Sequence, residues 1–265
     1  MRIAVLGGGV MGETLASGFL RAIKPRPEIV LVEKRVERAA QLRDLLGVAV
    51  AGAEEAVPAA DVVVLAVKPG DVMTVLSEVG GLVPAGALVI SIAAGISTSA
   101  IEQRVDEGVN VVRAMPNTPA RISLGVTGVS RGLSCSSEAL DLSIRLLESV
   151  STVVEVPESS QDAVTAVSGS GPAYVFFLAE AMIAAATDLG LDPVIAQRMV
   201  HRTILGAATL LDASGESAKS LRGNVTSPNG TTAAAIGTME QLGVGDAVGA
   251  AMRSARDRSR ELSGG

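Results

Sequence analysis

Through about residue 156 the chain alternates two kinds of segment, and that alternation limits its fold more than any other feature. "RIAVL", "EIVLVE", "DVVVLAV", "ALVISIA" and "NVVRAM" are short, nearly continuous hydrophobic runs rich in β-branched residues. Strands without a polar face are covered on both sides, so these runs predict a parallel sheet between layers of helices. Between them, "GETLASGFLRAI", "VERAAQLRDLLG", "DVMTVLSEVG" and "STSAIEQRV" have helical composition. "GVTGVSRG", a helix near 136–149 and "STVVEVP" complete this half. The pattern predicts the α/β class, a Rossmann-type doubly wound sheet over residues 1–156.

After Val156-Pro157 the strand signal stops. Residues 157–265 predict an all-helical domain, with helices at 160–167, 172–189, 193–213, 216–222, 231–242 and 246–262. Gly190, Gly215 and Gly243 are expected helix stops. The stretch 173–186 is apolar nearly all round, and a helix without a polar face must be enclosed by neighbours. So short a helical half cannot enclose it alone, which predicts a homodimer. The same stretch, "AYVFFLAEAMIAAA", is broken by Glu180 and reads as too short to span a bilayer.

Composition narrows the function. The chain is 48% hydrophobic and 2% aromatic, with no Trp and one Tyr, and its net charge of −6 is shared evenly between the halves. A nucleic-acid binder would show a basic stripe and stacking aromatics, so that class is not expected. One cysteine, Cys135, allows no internal disulfide and no cysteine-based metal site. No hydrophobic signal segment precedes "RIAVLGGG", and a soluble, cytoplasmic protein without a membrane partner is expected.

"AVLGGGVMGETL" sets Gly7-x-Gly9-x-x-Gly12 directly after the first strand and at the start of a helix. Gly7 would permit the tight turn, Gly9 the approach of backbone to a pyrophosphate, and Gly12 the close packing of helix on sheet. Glu33, at the end of the second strand, is placed to accept a ribose 2′-hydroxyl, which favours NAD. Lys34, Arg35 and Arg38 stand beside it and could neutralise a 2′-phosphate, so the residues leave NAD and NADP open. A methyltransferase shares the glycine-rich turn, but its fold ends in a sheet and needs no helical half.

"VTSPNGTTAAA" (225–235) gathers hydroxyls and turn residues before an alanine run. Either Ser227 with Pro228 starts the helix, or the Asn229-Gly230 turn delivers Thr231 as its cap. Both arrangements converge unpaired N–H groups on a point that attracts an anion. A well-capped helix with no ligand fits the same residues.

Read with "VKPGDV", "AAGIS", "RAMPNTP" and "PESSQDAVTAVSGSGPAY", the whole chain resembles the pyrroline-5-carboxylate reductase family. The most specific segments are "DAVTAVSGSGPAY" and "TSPNGTT". The resemblance implies reduction of 1-pyrroline-5-carboxylate to L-proline with NADPH, NADH being the alternative reductant. It also implies an interlocked helical dimerisation domain and further assembly of dimers. By position it assigns coenzyme contacts to Gly7, Gly9, Val10, Met11, Gly12, Glu33, Lys34, Arg35, Ala66, Val67, Lys68, Pro69, Ala94, Gly95, Met115, Pro116 and Asn117. The substrate carboxylate falls to Thr226, Ser227, Gly230, Thr231 and Thr232, with Ser227 and Thr232 the catalytic candidates. Two positions depart from the family pattern: Val10 stands where Asn is frequent, and Asn229 replaces the first glycine of a Pro-Gly-Gly turn.

The only histidine, His201, lies mid-helix in "AQRMVHRTIL", and Tyr174 at a helix start reads as structural. A ketone reductase needs a proton donor for its alkoxide. A cyclic imine can be protonated before hydride arrives, so positioning carries the catalysis, the imine carbon being held about 3–3.5 Å from the nicotinamide. Thr232 is the candidate to hydrogen-bond the ring nitrogen. Ser168 and Ser170 are read as shaping the pocket through close packing at Gly169 and Gly171. A related imine or 2-keto acid reductase, and a non-catalytic dinucleotide sensor, remain as alternatives.

Overall fold

The computed structural model describes residues 1–262. The chain divides into two compact units: Met1–Ser170 together with the C-terminal stretch from Ala255, and Gly171–Ser254. Residues 157–170, which follow the last strand, therefore pack with the sheet unit.

The first unit runs β1 (Arg2–Leu6), α1 (Val10–Ala22), β2 (Glu28–Val32), α2 (Val36–Leu46), β3 (Ala49–Val50), α3 (Ala53–Ala56), β4 (Val62–Leu65) and α4 (Pro69–Val79). It continues with β5 (Leu88–Ser91), α5 (Thr98–Glu102), β6 (Asn110–Met115), β7 (Gly125–Arg131), α6 (Ser137–Leu147) and β8 (Ser151–Glu155). The strands form one sheet in the order β3-β2-β1-β4-β5-β6-β7-β8. Successive side chains of a strand point to opposite faces, and here both faces are apolar. Ile3, Val5, Ile29, Leu31, Val62 and Val64 pack with Leu15 and Phe19 of α1 and Leu146 and Leu147 of α6. Ala4, Leu6, Val30, Val63 and Leu65 pack with Val72, Leu76 and Val79 of α4.

The sheet is not wholly parallel as expected, because β7 runs antiparallel to β6. Only residues 116–124 connect them, fewer than the dozen or so that a parallel crossover requires. The return to parallel pairing at β8 follows the α6 crossover. β3 was not anticipated; two residues pairing with Val30 and Leu31 leave no sequence period to read.

Among the described residues no strand follows β8. The remaining helices are α7 (Gln161–Val164), α8 (Gly171–Asp188), α9 (Pro193–Ser214), α10 (Ala218–Asn224), α11 (Thr231–Gln241) and α12 (Val244–Leu262). Gly190, Gly215 and Gly243 stop helices as expected, each with a positive φ. Two expectations need correction. The break between the helices expected at 160–167 and 172–189 is a π-turn over Thr165–Gly169, closed by the Ser170 N–H on the Thr165 carbonyl at 2.8 Å. Helix is therefore nearly unbroken over Glu158–Asp188, and those 31 residues are, by length and composition alone, enough to cross a membrane. Counting only the fourteen residues 173–186, Glu180 among them, leaves out the turns before them.

α8 has no buried residue within one chain, and Phe176 and Phe177 are 62% and 73% exposed. α12 ends on the first unit: Ser259 is buried and its hydroxyl donates to Asp162 Oδ1 at 2.7 Å.

Candidate active site

Ligands of open α/β sheets lie beyond the carboxyl ends of the strands, where strand order reverses. Here the reversal falls between β1 and β4. The expected coenzyme residues sit at the carboxyl ends of five adjacent, mutually parallel strands, β2-β1-β4-β5-β6. Glu33, Lys34 and Arg35 follow β2, and Gly7 to Gly12 follow β1. Ala66 to Pro69 follow β4, Ala94 and Gly95 follow β5, and Met115 to Asn117 close β6. Residues up to 110 positions apart in sequence, Gly7 and Asn117, are thus aligned along one sheet edge.

The glycine turn has the expected shape, for measurable reasons. Gly7 has φ +109, and a Cβ there would lie 2.6 Å from the Ala66 carbonyl oxygen, so only glycine lets β1 and β4 end so close together. A Cβ at Gly12 would lie 2.0 Å from the Gly7 oxygen, which keeps α1 against the turn. Gly9 is the N-cap of α1, and a Cβ there would meet nothing within 4 Å. The helix start is thus unobstructed on the Gly9 side, as the approach of a pyrophosphate to its N–H groups requires. Val10 is exposed as the first residue of α1, while Met11 packs partly into the core.

One cleft adjoins the turn and a second lies at the carboxyl end of β2. The first, of about 260 Å³, is bordered by Gly7, Val32, Lys34, Val67 and Asp71, and the second, of about 550 Å³, by Glu33, Lys34, Gly52, Glu54 and Glu78. A third cleft, of about 480 Å³, lies at the opposite end of the strands beside Asp61, Asn110 and Glu138, away from every residue singled out by sequence.

The acid after β2 is heavily engaged. Glu33 accepts from the Gly8 N–H at 3.2 Å and from Arg35 through its backbone N–H at 2.9 Å, Nε at 3.0 Å and Nη2 at 3.1 Å. The Arg35 side-chain bond holds the Glu33 carboxyl below the usual carboxylate range, against the opposing effect of burial. Arg38 Nε donates to the Gly8 carbonyl at 2.8 Å, and its guanidinium pairs with Glu13. Gly8 is therefore gripped from both sides, a role that the glycine spacing did not reveal.

Lys68 is the exposed N-cap of α4, and Pro69 opens that helix. Gly95 has φ +77. Asn117 is buried, and its Oδ1 accepts from the Val126 N–H at 3.0 Å, which ties the end of β6 to β7. Met115 Cε would lie 2.6 Å from a Cβ at Gly169, so the absence of a side chain there admits the methionine against the π-turn. Glu158 was missed by sequence. It accepts from the Thr98 N–H at 2.7 Å and the Thr98 hydroxyl at 2.6 Å, and buried Arg113 lies 3.5 Å away. Its carboxylate thereby fixes the helix that follows the Ala94-Gly95 loop.

In the second unit, neither start foreseen for α11 occurs. The N-cap is Gly230, without a side-chain cap, and Thr231 is the first helical residue. The Asn229-Gly230 turn does form: Asn229 takes φ +58, as the glycine it replaces would, and the Gly230 N–H bonds the Ser227 carbonyl at 3.0 Å. That bond removes the Gly230 N–H from the free donors, leaving those of Thr231, Thr232 and Ala233. The Thr226 hydroxyl is held by the Arg222 carbonyl at 2.6 Å. Among the described residues, the Ser227, Thr231 and Thr232 hydroxyls have no protein partner. The first turn of α11 thus presents hydroxyls and N–H groups and no competing carboxylate.

The comparisons with known proteins agree with both units. A family model described as an NADP oxidoreductase, coenzyme F420-dependent, matches residues 2–95. A model for pyrroline-5-carboxylate reductase dimerisation matches residues 158–262. The pyrroline-5-carboxylate reductase of Corynebacterium melassecola is 42% identical over 98% of each chain. The chain belongs to the pyrroline-5-carboxylate reductase family. Among solved members of that family, the Coxiella burnetii enzyme is 33% identical, with 98% of both chains covered and a TM-score of 0.91. The Plasmodium falciparum enzyme, solved with NADP bound, is 26% identical over 99% of this chain and 98% of its own, with a TM-score of 0.86. A pyrroline-5-carboxylate reductase is thus a Rossmann-type unit followed by a helical dimerisation segment, which is the fold class that the sequence predicts.

Proposed function

We propose that this protein reduces 1-pyrroline-5-carboxylate to L-proline, the last step of proline biosynthesis, with NADPH as reductant and NADH as the alternative. The observation that carries the proposal is full-length identity of 42% to a curated member of the family. Bound coenzyme would supply a hydride to the imine carbon. The residues present fit that group: an open glycine turn at a helix start with a cleft beside Gly7, a second cleft at Glu33, and two exposed cations, Lys34 and Arg35.

The chain's own residues divide the remaining work. Ser227, Thr231 and Thr232, with the free N–H groups of α11, hold the substrate carboxylate; each charge-assisted bond contributes roughly 1.5–3 kcal/mol before ordering costs. The Thr232 hydroxyl hydrogen-bonds the ring nitrogen. The imine takes its proton from solvent before reduction, so the secondary amine forms without a strong protein acid. The functional division stays at 156/157, with dinucleotide chemistry before it and substrate binding and dimerisation after it. The uncovered face of α8 supports a homodimer, and we place the protein in the cytoplasm.

The test is loss of dihydronicotinamide absorbance with pyrroline-5-carboxylate, run separately with NADPH and NADH. Inactivity with both would remove the proposal. Ser227→Ala should raise KM markedly, and a Thr232→Val enzyme with unchanged kcat and KM would remove the ring-nitrogen role.

A further inference from the structure

An acid that follows the second strand of a dinucleotide-binding sheet ordinarily accepts a hydrogen bond from the adenosine ribose and so selects NADH. Glu33 occupies that position, but its acceptor capacity is filled. An ionised carboxylate offers about four lone-pair sites. Oε1 receives the Arg35 N–H and Nε, and Oε2 receives Arg35 Nη2 and the Gly8 N–H. The Glu33 side chain is 8% exposed, against 66% for Arg35. A ribose hydroxyl could donate to Glu33 only by displacing one of these bonds.

Arg35 is the mirror case. A guanidinium carries five N–H donors in a fixed fork, and Glu33 engages one edge, through Nε and Nη2. The Nη1 edge has no protein partner among the described residues and faces solvent. Lys34, exposed and also without a partner among the described residues, borders both the cleft at Gly7 and the cleft at Glu33. Arg38 cannot join them without breaking its bonds to Gly8 and Glu13.

We propose that Glu33 is a positioning residue for Arg35, whose outer edge, with Lys34, takes the 2′-phosphate of NADPH, so that this chain selects NADPH although it carries the acid of an NADH site. The proposal rests on the coenzyme part of the function given above and names the residues that set its choice. The pair is neutral as a unit, so Glu33 does not repel the phosphate while Arg35 is in place.

The test is fluorescence titration of the full-length protein with NADPH and NADH, without substrate. Wild type should bind NADPH more tightly. Arg35→Gln should weaken NADPH by about tenfold or more, the worth of one charge-assisted bond, and leave NADH unweakened or tighter, since the substitution removes no bond to a ribose hydroxyl and frees acceptor sites on Glu33. Glu33→Gln/Arg35→Gln decides how Arg35 acts: NADPH should stay weak, because the cation is missing whether or not the acid is present. Recovery of wild-type NADPH affinity in that double variant would overturn the proposal, since Arg35 would then merely cancel Glu33. Equal affinity of wild type for both coenzymes, or an equal loss of both in Arg35→Gln, would also overturn it. A wild-type protein that bound neither coenzyme would overturn the reductase reading with it.

Discussion

Gly230→Ala isolates the substrate seat from the rest of the molecule. Gly230 has φ −82, so alanine suffers no backbone strain there. Its Cβ, however, would stand 2.5 Å from Ser227 Oγ and 3.1 Å from the Ser227 carbonyl oxygen. The hydroxyl must retreat by roughly an ångström to reach ordinary contact, which aims it away from the first turn of α11. If that hydroxyl holds the substrate carboxylate, the loss is one charge-assisted bond of about 1.5–3 kcal/mol, or a rise in KM of roughly tenfold to a hundredfold. Exchanging glycine for alanine at an N-cap costs only about 0.5–1 kcal/mol of stability. Coenzyme affinity, which depends on the other unit, should not change. The decisive measurement is a double-mutant cycle on KM at saturating NADPH. Both substitutions remove the same hydroxyl from the seat, so Ser227→Ala/Gly230→Ala should be no worse than Ser227→Ala alone. Effects that multiply, or a Gly230→Ala enzyme with wild-type KM, would refute the reasoning.

Three further outcomes follow from the packing. Gly12→Ala places a Cβ 2.0 Å from backbone oxygen; α1 must shift, costing about 1–3 kcal/mol, and both a lowered Tm and loss of NADPH binding should be seen, wild-type values for both being contrary. Phe177→Asp puts a charge on the exposed apolar face of α8. Sedimentation should show a dimer for wild type and a folded monomer for the variant, and a variant dimer of unchanged affinity would remove that face from the interface. Cys135 is buried, and burial raises its thiol pKa, so a disulfide reagent should label it slowly in native protein and rapidly after unfolding; labelling at the free-thiol rate in the native state would contradict this.

How much of this was legible before any coordinates depended on the range of the interactions involved. β1, β2, β4, β5 and β6 were readable because strands buried on both faces need an unbroken apolar run, and the sequence spells each run out. β3 and α3 were not, since two and four residues carry no period. The antiparallel turn into β7 could have been suspected from the short link after "NVVRAM", but strand composition alone does not report direction. At the candidate site, Gly7 and Gly12 were legible because glycine spacing records a steric demand of the local chain. The engagement of Glu33 was not, because it depends on which neighbours reach the same carboxylate, Gly8 across the turn and Arg35 two residues on. Glu158 was hidden for a similar reason: its partner Thr98 is sixty positions away. Likewise, both starts offered for α11 assumed that a side chain would cap it, whereas the turn at Asn229 brings Gly230 to the cap position.

The last turns of α12 carry a consequence for anyone dividing this polypeptide. Because Ser259 anchors to Asp162, the main chain leaves the sheet-bearing body near 170 and re-enters it near 255, so the helical body is threaded like an insert rather than appended like a tail. Cutting once, between Ser170 and Gly171, would strip the sheet body of the buried Ser259 hydroxyl and leave the Asp162 carboxylate without it. A faithful excision would need two cuts and a linker joining the severed ends.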